Sequence, residues 1–430
     1  MGAPYNPVVT DPPSSQGHLS RRGEQLISDR PMPAYVDEHF ARVADRWDPD
    51  TNPDGYVSMC IAENKLAWDL LAPKMAECRE VPARVAEYDT MTGSQSFREA
   101  LARFLERSVL GRPVAPEQVV TLAGSGTVLE MLFYVLADPG DGILVPTPSY
   151  SGFWMDLQTR DQLTIIAVHT AGQTGFRLTT ELLDAAVDGA DRPVRALLFT
   201  SPNNPLGTVY TADQVEEIVA WAERRDIHLV LDELFALSVY GDSAFTSGAA
   251  LRPALGDKRH IIWAFSKDFA ASGLRCGVLV SENEAVVQAI DGLAYWAAVS
   301  GDTQFMLEGL ISDRAWVDGF VAENRKRLGA AYSVVTSALE AASIPYLPAQ
   351  AGFFFLCDMR GFMTNVTWEA EHGLWRWLLD EVNVNLTPGA DCHIGEPGFM
   401  RLVFTSEPTG AVLAGIDRMG KALAGRVQTP

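Results

Sequence analysis

The sequence contains no apolar run approaching the roughly 18 residues that a membrane-spanning helix needs. Its first residues also lack the charged segment followed by an apolar one that is typical of a secretory signal. We therefore expect a cytoplasmic protein without a membrane partner.

Cysteine and positive charge are both scarce. Five cysteines without paired spacing argue against a disulfide framework and a zinc site, so no metal is expected. Lys and Arg number 34 against 55 Asp and Glu, which gives a formal net charge of −21. Because a nucleic-acid binder needs a basic surface to displace counterions, nucleic acid is excluded as an expected partner.

The chain has 430 residues, and 47% of them are hydrophobic, which is enough for a large domain and a smaller one. We predict a flexible leader over residues 1–30 and a segment over 31–85 that contributes to the small domain. The large domain is predicted over 86–325, and the C-terminal small domain, of α+β type, over 326–430.

Short apolar runs alternate with helix-length amphipathic stretches through the middle of the chain. Seven of these runs read as buried strands: 119–123, 142–146, 163–168, 195–200, 228–232, 260–265 and 276–281. Buried strands joined by crossover helices predict an α/β fold with a mostly parallel seven-stranded sheet covered on both faces.

Ligands of open α/β sheets bind where strands end. The first strand is followed by the small residues 124–127 and a helix, an arrangement that suits a phosphate group. The loop 201–207, SPNNPLG, presents rigidly held amides, and Asp232 ends another strand. Lys267 follows the strand 260–265, with Arg275 eight residues further on.

Taken together, these loops resemble those of class I and II aminotransferases, which have the pyridoxal 5′-phosphate (PLP) fold type I, also called aspartate-aminotransferase-like. The resemblance implies that Lys267 holds the cofactor and acts as base at Cα, and that Asp232 pairs with the ring nitrogen. Asn204 would bind the ring's phenolic oxygen and also line the substrate site. The residues implied to hold the phosphate are Ser125, Gly126, Thr127, Ser266 and Arg275.

Three further roles follow from the same resemblance. Tyr150 would stack on the cofactor ring and take part in catalysis, and Arg401 would bind the substrate α-carboxylate. Tyr88 is similar to a tyrosine that reaches the phosphate of the neighbouring subunit, which implies a homodimer with shared active sites.

A finer resemblance is to 1-aminocyclopropane-1-carboxylate (ACC) synthase. Residues 62–66, AENKL, are similar to its Ala-Glu-Asn-Gln-Leu motif, and 136–157 and 388–401 are similar to its other motifs. The resemblance implies that Ala62 and Glu63 line the substrate site and that the substrate is S-adenosylmethionine (SAM). A carboxylate in a desolvated pocket also favours a cationic sulfonium.

Several residues depart from the family pattern. Phe235 stands where a tyrosine usually binds the cofactor's phenolic oxygen, and Lys65 replaces a glutamine. The leading hypothesis is Cα deprotonation of SAM with loss of methylthioadenosine from Cγ, by closure to ACC or by elimination or substitution. One version of it is natural-product biosynthesis with a nucleophilic second substrate.

Two alternatives stay open. One is an aminotransferase of an aromatic or aliphatic amino acid, and the other is a catalytically silent PLP-binding regulator. The segment 295–304 has no Arg or Lys where dicarboxylate aminotransferases place an arginine, which argues against aspartate or glutamate as the main substrate.

Overall fold

A computed structural model describes residues 18–426 of the protein. Its strands, named in chain order, are β1 (Val57–Ser58), β2 (Val119–Leu122), β3 (Gly142–Thr147), β4 (Thr164–His169), β5 (Val194–Thr200), β6 (His228–Asp232), β7 (Arg259–Ala264), β8 (Gly277–Ser281), β9 (Phe354–Asp358), β10 (Val384–Asn385), β11 (Thr387–Pro388) and β12 (Phe399–Val403).

The α-helices, named in the same way, are α1 (Arg21–Ser28), α2 (Ala34–Arg42), α3 (Trp68–Glu77), α4 (Gln95–Leu105), α5 (Ser125–Leu136), α6 (Gly152–Gln158), α7 (Thr180–Asp188), α8 (Ala212–Arg225), α9 (Phe265–Asp268), α10 (Glu284–Ala294), α11 (Gly301–Ser312), α12 (Arg314–Ala341), α13 (Trp368–Glu381) and α14 (Thr409–Leu423).

The central sheet has seven strands in the order β2-β8-β7-β6-β5-β3-β4. Only β8 runs antiparallel to its neighbours, so the sheet is mostly parallel, as predicted. Four of its strands, β2, β3, β7 and β8, are buried along their whole length, and β5 and β6 along most of it, because helices cover both faces. All seven predicted runs form strands of this sheet, which confirms the predicted fold class.

The order of the strands determines where the loops meet. β5, β6 and β7 are adjacent and parallel, with Thr200 opposite Asp232 and Asp232 opposite Ile262. The loops after these three strands therefore leave the same edge of the sheet side by side. This edge brings together sequence positions that are more than 60 residues apart.

Two small sheets lie outside the central one. β11, β12 and β9 form an antiparallel sheet, and β1 pairs in parallel with β10. The pairing of Val57 with Val384 joins the segment 31–85 to the C-terminal part of the chain. The proposed domain boundaries themselves stay predictions.

The N-terminal leader predicted over 1–30 falls largely outside the described residues. Its end, however, is ordered: α1 spans Arg21–Ser28, with the Ser20 hydroxyl accepting a hydrogen bond from the Gly23 amide. None of the residues of α1 is buried. Within residues 18–426, no helix combines the length and the apolar character needed to cross a bilayer.

Candidate active site

Lys267 lies in the short helix α9, directly after β7. Its Nζ donates a hydrogen bond of 2.7 Å to the carbonyl oxygen of Ala62. Burial lowers the pKa of Lys267 to about 8, although the negative charge of Glu63 opposes the shift. A larger fraction of this amine is therefore neutral near physiological pH than for an ordinary lysine, and a neutral amine is the form that attacks a carbonyl.

Asp232 ends β6 at the edge where the loops meet. The carboxylate accepts hydrogen bonds from the Leu234 amide at 3.2 Å and from the Thr200 hydroxyl at 3.4 Å. Burial raises the pKa of Asp232 to about 6. Two long bonds satisfy a buried carboxylate poorly, so the ionised form calls for a cationic partner such as a protonated ring nitrogen.

The predicted phosphate site is built from the turn between β2 and α5. Gly124 has a positive φ of 103°, and a side chain there would collide with the guanidinium of Arg275. Arg275 donates to the carbonyl oxygen of Ser272 at 3.0 Å, and the buried Ser266 hydroxyl has no partner among the described residues. A free hydroxyl and a guanidinium beside a helix N-terminus form a place for an anion.

The other residues predicted to hold the phosphate lie in the first turn of α5. Ser125, Gly126 and Thr127 are partly exposed. Because they are the first three residues of the helix, their backbone amides have no helical partner. The Thr127 hydroxyl donates to the Ala123 carbonyl oxygen at 3.2 Å, which directs its proton back into the helix.

Arg401 lies in β12 and is almost completely buried. Its guanidinium donates to the Asn204 side-chain oxygen at 3.1 Å, the Cys60 carbonyl oxygen at 2.6 Å and the Thr387 hydroxyl at 3.0 Å. The Nε atom has no partner in the part of the chain that the structure describes. These bonds hold the guanidinium in place and leave a donor for a carboxylate.

Tyr150 follows β3, and its ring meets the edge of the Phe153 ring at 5.4 Å between centroids. Burial, followed by the charge of Asp156, raises the pKa of Tyr150 to about 12. The charges of Arg401 and Asp232 also act on it. The structure therefore brings Tyr150 together with the predicted cofactor and carboxylate sites, with its hydroxyl protonated.

Glu63 is partly buried, and its carbonyl oxygen accepts a hydrogen bond of 2.5 Å from the Thr405 hydroxyl. The neighbouring Ala62 accepts a hydrogen bond from Lys267, so the predicted substrate segment contacts the reactive lysine.

Tyr88 lies apart from these buried groups: its side chain is 96% exposed in the single chain. Its predicted role toward a neighbouring subunit stays a prediction.

Sequence reasoning assigned no site role to three residues at this edge. The buried hydroxyls of Ser149 and Ser201 have no hydrogen-bond partner within residues 18–426. Both follow strands of the sheet, so an examination of every residue after each strand would have found them. Asp156, in α6, faces the first turn of α5, and no local sequence signal points to it.

These residues fit pyridoxal phosphate. A lysine with a lowered pKa, a buried acid for the ring nitrogen and an anion site with an unpartnered hydroxyl lie at one edge. When bound, this cofactor withdraws electrons from the Cα of an amino acid.

Comparison with known proteins agrees with this set of site residues. Residues 59–415 match the family described as aminotransferase class I and II. The chain is 34% identical over 416 residues to 1-aminocyclopropane-1-carboxylate synthase 4 of Oryza sativa subsp. japonica, an alignment covering 88% of this chain and 84% of the relative. It is 32% identical over 404 residues to 1-aminocyclopropane-1-carboxylate synthase 6 of Arabidopsis thaliana, covering 90% and 82% respectively.

Solved structures show the same fold. An aspartate aminotransferase from Rhizobium meliloti superimposes with a TM-score of 0.80 at 19% identity, covering 95% of this chain and 99% of that one. The aspartate aminotransferase from Thermus thermophilus with maleate gives a TM-score of 0.79 at 21% identity, covering 94% and 99%. The chain thus belongs to the class I and II aminotransferase family and is a pyridoxal phosphate-dependent enzyme.

Proposed function

We propose that the enzyme acts on S-adenosylmethionine, removes its Cα proton and releases methylthioadenosine from Cγ by elimination or substitution. The observation that carries the proposal is the hydrogen bond from Lys267 to Ala62, since it joins the reactive lysine to the segment that bears Glu63. The relatives at 32 to 34% identity are named as ACC synthases, which supports chemistry at Cγ.

Arg401 is proposed to bind the α-carboxylate of the substrate. It is fixed by three hydrogen bonds and keeps its buried Nε unpartnered. A guanidinium pairs with a carboxylate in a planar geometry, which orients the substrate. The bond from Arg401 to Asn204 links the carboxylate site to the amide proposed to bind the cofactor's phenolic oxygen.

Lys267 is proposed to take the proton from Cα once the substrate amine has displaced it. Its pKa of about 8 keeps it a usable base near neutral pH. Tyr150 lies in the same site and keeps its proton, because its pKa is raised to about 12. We propose that its hydroxyl donates a hydrogen bond at the reacting face.

Glu63 is proposed to face the sulfonium. A carboxylate next to a cationic sulfur stabilises the bound substrate most strongly where water is excluded. The segment 295–304 supplies no cation for a second carboxylate, and Trp296 is exposed in the single chain. The site thus favours a cationic side chain over an acidic one.

A homodimer is part of the proposal. Tyr88 is almost fully exposed, whereas the other predicted cofactor residues apart from Arg275 are buried or partly buried. We propose that its hydroxyl reaches the phosphate site of a second copy.

The proposal is tested by mixing cofactor-loaded protein with SAM and following methylthioadenosine and the amino-acid fragment by chromatography and mass spectrometry. We expect release in the unchanged protein and none in Lys267→Ala. The fragment separates ring closure to ACC from elimination, which gives vinylglycine or its oxoacid. Candidate nucleophiles added to the mixture would reveal substitution as a new adduct.

The same experiment distinguishes transamination. An aminotransferase would convert the bound cofactor to its amine form on addition of an aromatic or aliphatic amino acid, with a change in the visible spectrum. That conversion without methylthioadenosine release would replace the proposal by the aminotransferase alternative. Glu63→Gln should weaken SAM binding while the protein still binds the cofactor.

A further inference from the structure

Asp156 is an acid that the proposed reaction does not use, although it lies beside the phosphate site. It belongs to α6, and α6 packs against α5. A Cβ atom built on Gly126, the second residue of α5, would lie 3.2 Å from one carboxylate oxygen of Asp156 and 3.6 Å from the other. The carboxyl group thus borders the first turn of α5, which would receive the phosphate.

The charged groups that act on Asp156 belong to several elements of the site. Asp232 at the end of β6 and Glu130 on α5 act on it with negative charge, and Arg275 acts with positive charge. Tyr150 is a further titratable neighbour, since the charge of Asp156 acts on its hydroxyl. No donor within residues 18–426 makes a hydrogen bond to the carboxylate of Asp156. Burial, followed by the two neighbouring acids, raises the pKa of Asp156 to about 7.

A bound phosphate would change this balance. The phosphate ester of the cofactor carries close to two negative charges at neutral pH, and Arg275 is the guanidinium placed to pair with it. An ionised Asp156 in the same place would repel the phosphate, whereas a protonated one would offer it an O–H donor. The arrangement favours the protonated acid in the complex.

We propose that Asp156 contacts the cofactor's phosphate as a neutral acid, so that cofactor binding takes up a proton at this carboxyl group. The group thus acts as a positioning residue for the phosphate. This inference concerns the cofactor alone and does not depend on which amino acid the enzyme transforms.

The direction of the pH dependence follows from linkage. Below about pH 7 Asp156 is already protonated in the free protein, so binding takes up no proton there. Above that pH the free protein must gain a proton on binding, and the affinity falls with rising pH, at most about tenfold per pH unit. The fall in affinity ends above the pKa that Asp156 has in the complex, because Asp156 is then ionised in both the free protein and the complex.

The experiment uses pyridoxamine 5′-phosphate as the probe, because its amine cannot react with Lys267. The cofactor is removed from the full-length protein, and the probe is titrated calorimetrically between about pH 6.5 and 9 in two buffers of different ionisation enthalpy. This measurement gives both the affinity and the number of protons taken up. The variants are Asp156→Asn, Asp156→Ala and a matched control, Asp161→Asn.

Asp161 is a suitable control because it is buried, and burial together with Glu130 raises its pKa to about 7 as well. Its other charged neighbour is Arg160, and neither Arg275 nor Asp232 acts on it. Asp161→Asn therefore removes a buried acid of the same pKa outside the phosphate site. We expect its proton uptake and affinity to match those of the unchanged protein.

At about pH 8 the unchanged protein should take up close to one proton more than Asp156→Asn. The affinity of that variant should lack the fall with rising pH that Asp156 causes in the unchanged protein. At about pH 6.5 we expect Asp156→Asn to bind as the unchanged protein does, and Asp156→Ala to bind about fivefold more weakly, since alanine has no donor. Equal proton uptake in the unchanged protein and Asp156→Asn would overturn the proposal. Unweakened binding by Asp156→Ala at the lower pH would do the same.

Discussion

Lys267 and Asp268 are consecutive residues of one short helix, yet their surroundings are opposite in kind. Asp268 is fully buried and accepts three hydrogen bonds, from the Leu237 amide at 3.0 Å, the Ser238 hydroxyl at 2.7 Å and the Trp263 indole at 2.9 Å. Lys267 makes one bond, to a backbone carbonyl. The Asp268 carboxylate, behind the sheet edge, thus has its hydrogen bonds satisfied. The Lys267 amine, at the edge, can still donate further hydrogen bonds.

The same contrast separates Asp232 from Glu233. Glu233 is completely buried and accepts hydrogen bonds of 2.6 Å from the Ser247 hydroxyl and 2.8 Å from the Gly248 amide. Asp232 has only the longer bonds described above. Buried polar groups are normally satisfied, so the unsatisfied ones at one edge of a sheet mark a ligand site and the satisfied ones mark architecture.

The largest effect is expected at Lys267. Lys267→Ala should reduce methylthioadenosine release by roughly 10³-fold or more, because it removes both the covalent attachment and the base. Its melting temperature without cofactor should stay close to that of the unchanged protein. Activity and thermal unfolding are measured on the same preparation. Retained activity would contradict the assignment of Lys267.

The second prediction compares Asp268, whose hydrogen bonds are satisfied, with Asp232, whose hydrogen bonds are long. Asp268→Asn should lower the free energy of unfolding by about 3 kcal/mol, because an amide has one acceptor oxygen for three donors. Asp232→Asn should cost less stability but most of the activity. Denaturant unfolding and turnover of both variants measure this difference. Equal losses of stability would mean that hydrogen-bond completeness does not distinguish the two regions.

The third prediction concerns the pH at which Lys267 becomes reactive. Only its neutral form attacks the cofactor aldehyde, so the rate of cofactor attachment should rise with pH through about 8. The charge of Glu63 raises the pKa of Lys267, and Glu63→Gln should therefore move the midpoint of the rise to lower pH. Stopped-flow absorbance measures the rate. The exposed Glu77→Gln is the control, and an upward shift in Glu63→Gln would refute the electrostatic link.

The smallest effect is expected at Phe235, whose ring contacts the edges of Phe353 and Phe354. Phe235→Tyr should restore a hydrogen bond to the cofactor's phenolic oxygen, worth about 1 kcal/mol. That corresponds to a fall of about 0.7 units in the pKa of the bound chromophore. A visible-range pH titration measures it, and an unchanged pKa would show that the added hydroxyl does not reach the cofactor.

The sheet was predictable because each of its strands is a short apolar run, and the order of motifs identified the residues at the strand ends. Asp232 ends β6, Lys267 follows β7, and Arg401 bonds to Asn204 in the loop after β5, while the roles assigned to them stay predictions. Asp156 was missed because its relation to the phosphate site depends on how α6 packs against α5. No spacing along the chain encodes that contact.

The partners of Asp268 were missed for a related reason. An aspartate next to a reactive lysine gives no sign in the sequence that Trp263 and Ser238 enclose it. Such networks depend on contacts between distant segments, whereas strand positions depend on local apolar runs. Local patterns therefore indicate the sheet more readily than they indicate which polar groups are satisfied.

The short strand β1 has a consequence for how the protein is made. It pairs with β10, and the hydrogen bond from Arg401 to the Cys60 carbonyl oxygen joins residues that are 341 positions apart. During synthesis, the segment that carries Glu63 has no partner strand until β10 has emerged, more than 300 residues later. The large sheet can form first as the chain emerges, and the active site is completed last.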